Sequence, residues 1–428
     1  MKILVIGSGG REHAVCAQFA LSSKVEKIFA MPGNAGIAEI AQCVTSVNVA
    51  NHQEVINFCR AEEISLVFIG PEQPLVDGLV DDLENAKIRT FGPSKYCAQL
   101  EGSKAFMKKL AADNAVPTAA YEVFLQAAEA IKFGEKLGFP CVIKADGLAA
   151  GKGVVIAENS AQLSETVQEF FAGKFGDASK KIIIEEFLTG VEVSYFALCD
   201  GASFVSLGSA CDHKKVGENE TGPNTGGMGT FAPSPFVTPQ IEAEIINKII
   251  TPTLDALVAK GHPFKGILFA GIILTAQGPK LLEFNTRLGD PETQVLLPRL
   301  KTDFVDLIEA AIDGKLAQLQ VKFDKEKKLV CVVMCASGYP EAYQKGTEIN
   351  LQATKNLPEN LHDVKILHAG TAIKNGKLVA NGGRVLNIVA SAQSFKDARQ
   401  KAYATINLID WKDGFARKDI GQKVENHQ

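Results

Sequence analysis

Lys2-Ile3-Leu4-Val5-Ile6-Gly7-Ser8-Gly9-Gly10-Arg11-Glu12 decides the fold class. Residues 2–6 are a short run rich in β-branched side chains, stopped by glycines, and a helical pattern follows from Glu12 to about Ser22. A strand closed by a glycine turn that opens a helix is the first half of a βαβ unit. The same grammar recurs downstream. Val25–Ala30 reads as a strand, Leu66–Ile69 stops at Gly70-Pro71, and Arg89-Thr90-Phe91 runs into Gly92-Pro93. Continuous apolar runs, without alternation, belong to strands buried on both faces. Residues 1–103 are therefore expected to form an α/β domain around a parallel sheet.

Beyond it, Lys104 to about Asp113 looks helical, followed by a helix over Gln126–Leu137 and strands at Cys141–Lys144, Val154–Ile156 and Lys181–Glu185. With the helix Ala161–Ala172, these make a small module suited to a lid, about residues 118–188. Strands at Glu192–Cys199, Gly266–Leu274 and Lys280–Phe284 and helices at about 239–259 and 303–313 continue the middle domain, 104–320. The charged stretch Lys322–Lys328 reads as a linker or solvated turn. A C-terminal α/β domain, 328–428, follows. It has strands Leu329–Cys335 and Arg384–Ala390, a hairpin with Asn375-Gly376 at its tip, and a helix Ser394–Leu408.

Composition narrows the function. Of 428 residues, 46% are apolar and 22% charged, ordinary for a globular protein with more than one core. Lys and Arg number 45 against 49 Asp and Glu, a net charge of -4, which leaves no footprint for nucleic acid or an anionic membrane. No apolar run approaches the ~20 residues of a membrane helix. Nine cysteines without metal spacing, in a chain with no signal segment, point to reduced thiols, a cytoplasmic location and core packing.

Four clusters carry chemistry. Gly7–Gly10 opens a helix, where backbone N–H groups and the helix dipole favour an anion. The third glycine of a dinucleotide fingerprint would fall on Glu12, so a single sugar phosphate gripped by Arg11 fits better, against a plain tight turn. Gly147–Gly153, carrying Lys152, lies between strands and can fold over a triphosphate that Lys144 also reaches, against a mobile surface hairpin. Glu185-Glu186-Phe187-Leu188, with Glu192 beyond, joins strand-end carboxylates to a connector able to meet an adenine edge and a ribose, against ordinary surface acids. Densest is Glu283-Phe284-Asn285-Thr286-Arg287-Leu288-Gly289-Asp290-Pro291-Glu292. On a strand, 283, 285 and 287 share a face, offering hard oxygens for Mg²⁺ and a guanidinium able to clamp an anion, against a buried charge cluster with a structural role. Asp212-His213-Lys214-Lys215 and the loop Gly222–Gly229 can wrap an anionic substrate. His213 among lysines is expected to be a solvated or hydrogen-bonded bystander.

Together GSGGREHA, GPEQPLV at 70–76, QLEGSKAFMK at 99–108, IKADGLAAGKGV at 143–154, IEEFLTGVEVS at 184–194, DHKKVGENETGPNTGGMG at 212–229 and EFNTRLGDPETQ at 283–294 closely resemble the phosphoribosylamine–glycine ligases, purine-biosynthesis members of the ATP-grasp superfamily. The resemblance runs in order over essentially the whole chain. It implies an N-terminal α/β domain, an ATP-grasp core with a mobile lid and a C-terminal α/β domain. It assigns Lys104, Lys144, Gly147, Gly151, Lys152, Gly153, Glu185, Glu186, Leu188 and Glu192 to ATP. Magnesium (or manganese) falls to Glu283 and Asn285. The glycine end and catalysis fall to Asp212, Lys214, Arg287 and Asp290, and phosphoribosylamine to Gly9, Gly10, Arg11 and Glu72. A monofunctional, monomeric enzyme working through glycyl phosphate is implied. Another ATP-grasp ligase using bicarbonate or formate, and a nucleotide-binding regulator without turnover, are the competing readings.

Overall fold

In the computed structural model, which describes residues 1–148 and 153–427, the strand Lys2–Gly7 lies at the centre of a five-stranded parallel sheet. The order is Gln42–Cys43, Lys27–Pro32, Lys2–Gly7, Leu66–Ile69 and Thr90–Phe91. Both faces are buried, as the unalternating runs require. Ile3, Val5, Ala30 and Phe68 enter the largest core, and Leu4, Ile6, Phe29 and Met31 pack on the other side against Val55, Leu79 and Leu83. The helix Gly10–Phe19 starts earlier than expected because the Glu12 carboxylate turns back onto the Gly9 N–H at 2.6 Å, half of a capping box.

Tyr121–Phe124, Ile182–Glu186, Cys141–Ala145 and Val154–Ala157 form a separate antiparallel sheet in that order. Helices Ala127–Leu137 and Ser160–Phe171 cover it, and Phe124, Ile143, Leu163, Phe170 and Ile184 give it a core of its own.

The third sheet is nine-stranded and antiparallel. Its path is Gly278–Asn285, Lys265–Thr275, Val191–Asp200, Phe204–Asp212, Gly229–Ala232, Lys328–Ala336, Arg384–Ala392 and Lys365–His368, with Gly414–Phe415 paired beside Lys328–Ala336. Phe204–Asp212 and Gly229–Ala232 were not expected from sequence. They are the strands that carry the middle of the chain into Lys328–Ala336, so the C-terminal strands extend one sheet and share its core. The charged stretch 322–328 is partly ordered, since the Phe323 backbone bridges Leu300 and the Asp324 N–H donates to the Arg299 carbonyl at 2.7 Å.

The helix expected over 239–259 is interrupted. Turns at Pro239–Ile245 and Thr251–Ala259 flank a wider turn at Ile246–Ile250. Pro252 has no N–H to donate, and the wide turn absorbs the missing bond. The hairpin is as expected, with Asn375 (φ 52°) and Gly376 (φ 74°) left-handed between Thr371–Lys374 and Lys377–Ala380. Among the described residues no helix is long and apolar enough to cross a membrane.

Candidate active site

Helix Lys104–Asp113 is fastened to the small sheet at its first turn. Ser103 caps it by accepting from the Phe106 N–H at 3.1 Å, and Asp146, just past the strand Cys141–Ala145, accepts from the Ala105 N–H at 2.7 Å. Lys104 donates Nζ to the Gly147 carbonyl at 3.2 Å. One turn on, Lys108 donates to Thr118 Oγ1 at 2.8 Å and ion-pairs with Glu185, whose other oxygen pairs with Lys144. Lys144 also reaches the Leu282 carbonyl at 3.4 Å. Burial lowers the Lys108 ammonium to about 8 despite the pull of Glu185. Burial lowers Lys104 as well. Burial also pushes the Glu185 carboxyl up, but Lys144 and Lys108 outweigh it and hold it below the usual range.

Glu185 is therefore an interior group, 2% exposed, and not the strand-end surface acid that its position suggested. Glu186 is half-buried and pairs with Lys280 at 3.3 Å, Leu188 is half-buried, and Glu192 is exposed, 3.8 Å from Lys214. A Cβ on Gly147 would lie 2.8 Å from that of Ala178, and the Gly153 carbonyl accepts from the Ala145 N–H at 2.8 Å. Gly151 and Lys152 lie outside the described residues. Lys108 was missed from sequence. Its spacing of four from Lys104 on one helix face was the available signal.

Strand Gly278–Asn285 sets Glu283 opposite Gly271 and Asn285 opposite Phe269. Their alternation keeps both on one face, as expected. Lys214 Nζ stands 3.7 Å from Glu283 Oε1. Partial burial raises the Glu283 carboxyl, but Lys214, Lys144, Lys104 and Arg287 together pull it below the usual range. An ionised carboxylate beside an amide oxygen is a donor set that suits Mg²⁺ when phosphate oxygens complete it. Among the described residues no three His, Cys, Asp or Glu side chains converge into a metal cage.

Past the strand, Arg287 does not stand free for an anion. Nη2 meets Glu101 at 2.7 Å and Asn285 Oδ1 at 3.3 Å, Nε is 3.3 Å from Glu72, and Nη1 donates to the Leu288 carbonyl at 3.2 Å. Glu101, unseen from sequence, also accepts from the Thr286 N–H at 2.9 Å. Arg11 is likewise engaged. Nε meets Glu12 at 2.5 Å, and Nη1 donates to the Leu288 carbonyl at 3.0 Å. The Arg11 N–H points to Asp290 Oδ2 at 3.4 Å, and a Cβ on Gly10 would lie 2.3 Å from Asn387 Nδ2. At this helix start, where a sugar phosphate is expected, the Gly9 and Arg11 N–H groups meet Glu12 and Asp290. The reason is electrostatic: the two carboxylates answer the same N–H groups and dipole that a phosphate would.

Asp212 ends the strand Phe204–Asp212 with Oδ1 buried and, among the described residues, without a hydrogen-bond partner. Burial and the nearby Glu292 carboxylate push its carboxyl well above the usual range. Asp290 behaves oppositely, because Arg384 and Arg11 outweigh burial and lower it, and Gln294 donates to it at 2.8 Å. His213 is buried rather than solvated. It lies edge-on to Phe231, with Nδ1 3.3 Å from the Gly229 carbonyl, and burial lowers it to about 4. All nine cysteines are free and all but Cys43 buried, in line with a packing role.

Family models for phosphoribosylglycinamide synthetase match almost end to end. The N domain matches residues 1–101, the ATP-grasp (A) domain 102–293 and the C domain 329–423. A phosphoribosylamine–glycine ligase from Brucella melitensis is 48% identical over 99% of this chain and 98% of its own. One from Caldanaerobacter subterraneus is 45% identical over 98% and 99%. Among solved structures, a phosphoribosylamine–glycine ligase from Thermotoga maritima superposes with a TM-score of 0.85 at 32% identity, covering 98% of this chain and all of that one. A biotin carboxylase from Campylobacter jejuni, at 16% identity and a TM-score of 0.74 over 100% and 95% of the chains, shares the fold. With full-length matches in sequence, domain order and structure, the chain belongs to the phosphoribosylamine–glycine ligase (phosphoribosylglycinamide synthetase) family.

Proposed function

We propose the following course for this chain, an ADP-forming ligase of purine biosynthesis that joins glycine to 5-phosphoribosylamine. ATP lies with its phosphates on Lys104 and Lys144 beneath Gly147–Gly153, its adenine along Glu185–Leu188 and its ribose at Glu192. A glycine carboxylate oxygen attacks the γ-phosphorus and ADP leaves, giving glycyl phosphate. The amine of phosphoribosylamine then attacks that carbonyl, loses a proton and expels phosphate, forming the amide. Glu283 and Asn285 would hold magnesium (or manganese), which neutralises phosphate charge when bound. Lys104, Lys144 and Lys214 stabilise the charge that develops on the transferring group. Asp212, Lys214, Arg287 and Asp290 line the glycine end. Phosphoribosylamine lies over the Gly7–Gly10 turn beside Glu72, and Arg11 ties that turn to Leu288. The small sheet, within about 118–188, closes as a lid and keeps water from the acyl phosphate. No protein nucleophile is required. A monomer in the cytoplasm completes the proposal.

The observation that carries this course is the meeting of Glu283, on one strand face with Asn285, with lysines from three other segments. ADP release tests it, with glycine and with phosphoribosylamine made in place from ribose 5-phosphate and ammonia. Release that needs magnesium and both co-substrates is expected. Release driven by bicarbonate or formate instead would assign the chain to the other ligase chemistry.

A further inference from the structure

The C-terminal strand reaches the amino-acid end of the site through one side chain. Arg384, the first residue of Arg384–Ala392, donates Nη1 to the Asp290 carbonyl at 2.6 Å and to the Gly226 carbonyl, with Nη2 3.5 Å from Asp290 Oδ2. Its guanidinium lies flat on Gly226, where an added Cβ would come within 3.1 Å of Cζ. The other polar group of Gly226 is held from the turn that follows the strand Lys328–Ala336, its N–H donating to Tyr339 Oη at 3.0 Å. Tyr339 in turn sits on Gly383, where a Cβ would lie 2.3 Å from Cδ2. Both hydrogen-bonding groups of one glycine are thus fixed by side chains more than a hundred residues away. The next residue, Gly227, has φ of 115°, and a Cβ there would lie 2.7 Å from Asp212 Oδ1 and 2.5 Å from Pro291 Cδ.

We infer that Arg384 and Tyr339 are positioning residues for the amino-acid end of the site, holding the glycine-rich loop 222–229 against Asp290 so that Gly227 keeps Asp212 in place. The physical need is clear. A stretch with glycines at 222, 226, 227 and 229 has much conformational freedom to lose, and one charge-assisted bond from a strand and one neutral bond from a turn restrict it. The inference rests on the placement of glycine at Asp212 and Arg287 proposed above.

The test uses the full chain as Arg384→Gln, Arg384→Lys and Tyr339→Phe. Without substrates, hydrogen exchange of the 222–229 segment should quicken in Arg384→Gln while that of Lys104–Asp113 stays as it is. In turnover, the glycine Michaelis constant should rise about ten- to hundredfold, as expected for losing a charge-assisted bond, with that for ATP within about twofold. Arg384→Lys should recover part of the loss, and Tyr339→Phe should give the same split about tenfold or less. The Tyr339 variant keeps the test sound should Arg384→Gln fold poorly. A lower melting temperature and lower kcat with all Michaelis constants unmoved would leave only a structural brace and overturn the inference. Asp212→Asn separates the two failures. If it raises the glycine constant and the Arg384 variants do not, the positioning role is wrong. If neither raises it, glycine does not lie at Asp212 and the placement beneath the inference falls too.

Discussion

The two ends of the site handle charge in opposite ways. Where the nucleotide is proposed to lie, two lysines, Lys108 and Lys144, share one buried carboxylate, Glu185, while Lys104 donates to the Gly147 carbonyl. Where glycine and phosphoribosylamine are proposed to lie, each of three arginines is already matched: Arg11 by Glu12, Arg287 by Glu101 and Glu72, Arg384 by Asp290. On that proposal the first arrangement is completed by an arriving polyanion. The second is a set of fixed dipoles and charges that does not reorganise when substrate arrives, which is how a site stabilises a transition state cheaply. The lysines should therefore govern nucleotide affinity and its pH dependence, and the arginines the integrity of the frame.

Arg11→Met should break this contrast most severely. Arg11 and Glu12 have side chains 8% and 2% exposed, and Arg11 also holds the Leu288 carbonyl. Removing one partner of a buried pair leaves the other uncompensated, at about 3–5 kcal/mol. The unfolding transition in urea should fall by that much. Unchanged stability with a raised Michaelis constant for phosphoribosylamine would instead return Arg11 to the substrate phosphate. Next in size is Glu283→Gln, which should lower kcat by about two to three powers of ten, ~3–4 kcal/mol, with the fold intact. Near-normal turnover at saturating magnesium would sink the role given to Glu283.

That contrast explains what could be read from sequence. Leu66–Ile69 and Lys104–Asp113 match their expected limits, because a run closed by Gly-Pro and a helix begun by Ser103 announce themselves locally. Glu283 and Asn285 were legible for the same reason, since alternation on one strand is local. Phe204–Asp212 was not, because Ser206, Gly208 and Ser209 break its apolar run. The matching groups were not either. Glu101 finds Arg287, and Arg384 finds Gly226 and Asp290, only once distant segments have folded together. Arg11 is a further case: from sequence, a strand–glycine–helix turn looks the same whether or not Glu12 and Asp290 answer its N–H groups.

The lysine cluster gives a smaller, pH-dependent effect. The Lys108 ammonium titrates at about 8 in the fold, below the ordinary lysine value of about 10.4. Between those two values the unfolded chain holds the proton and the folded chain does not, so unfolding takes up a proton and stability rises with pH. Below about 8 both states are protonated and the slope vanishes. Wild type should gain on Lys108→Met by ~3 kcal/mol across that window, read as the difference between their urea transitions at each pH. Parallel curves would show that the ammonium is not strained by burial.

The smallest effect belongs to an ion pair that water can reach, at the end of the strand Ile182–Glu186. Lys280 and Glu186 stand 3.3 Å apart, with side chains 26% and 37% exposed. Solvent and salt screen such a pair, and ordering two long side chains offsets most of the attraction, which leaves about 0–1 kcal/mol. Lys280→Gln should therefore shift the urea transition by less than about 1 kcal/mol, and 1 M salt should erase the shift. The same variant in a Lys108→Met background should add its own small effect and no more, because separate partners, Glu186 and Glu185, answer the two lysines. Strong coupling between the two substitutions would mean that the cluster reaches the surface through the strand Ile182–Glu186, and that the nucleotide end is one cooperative network.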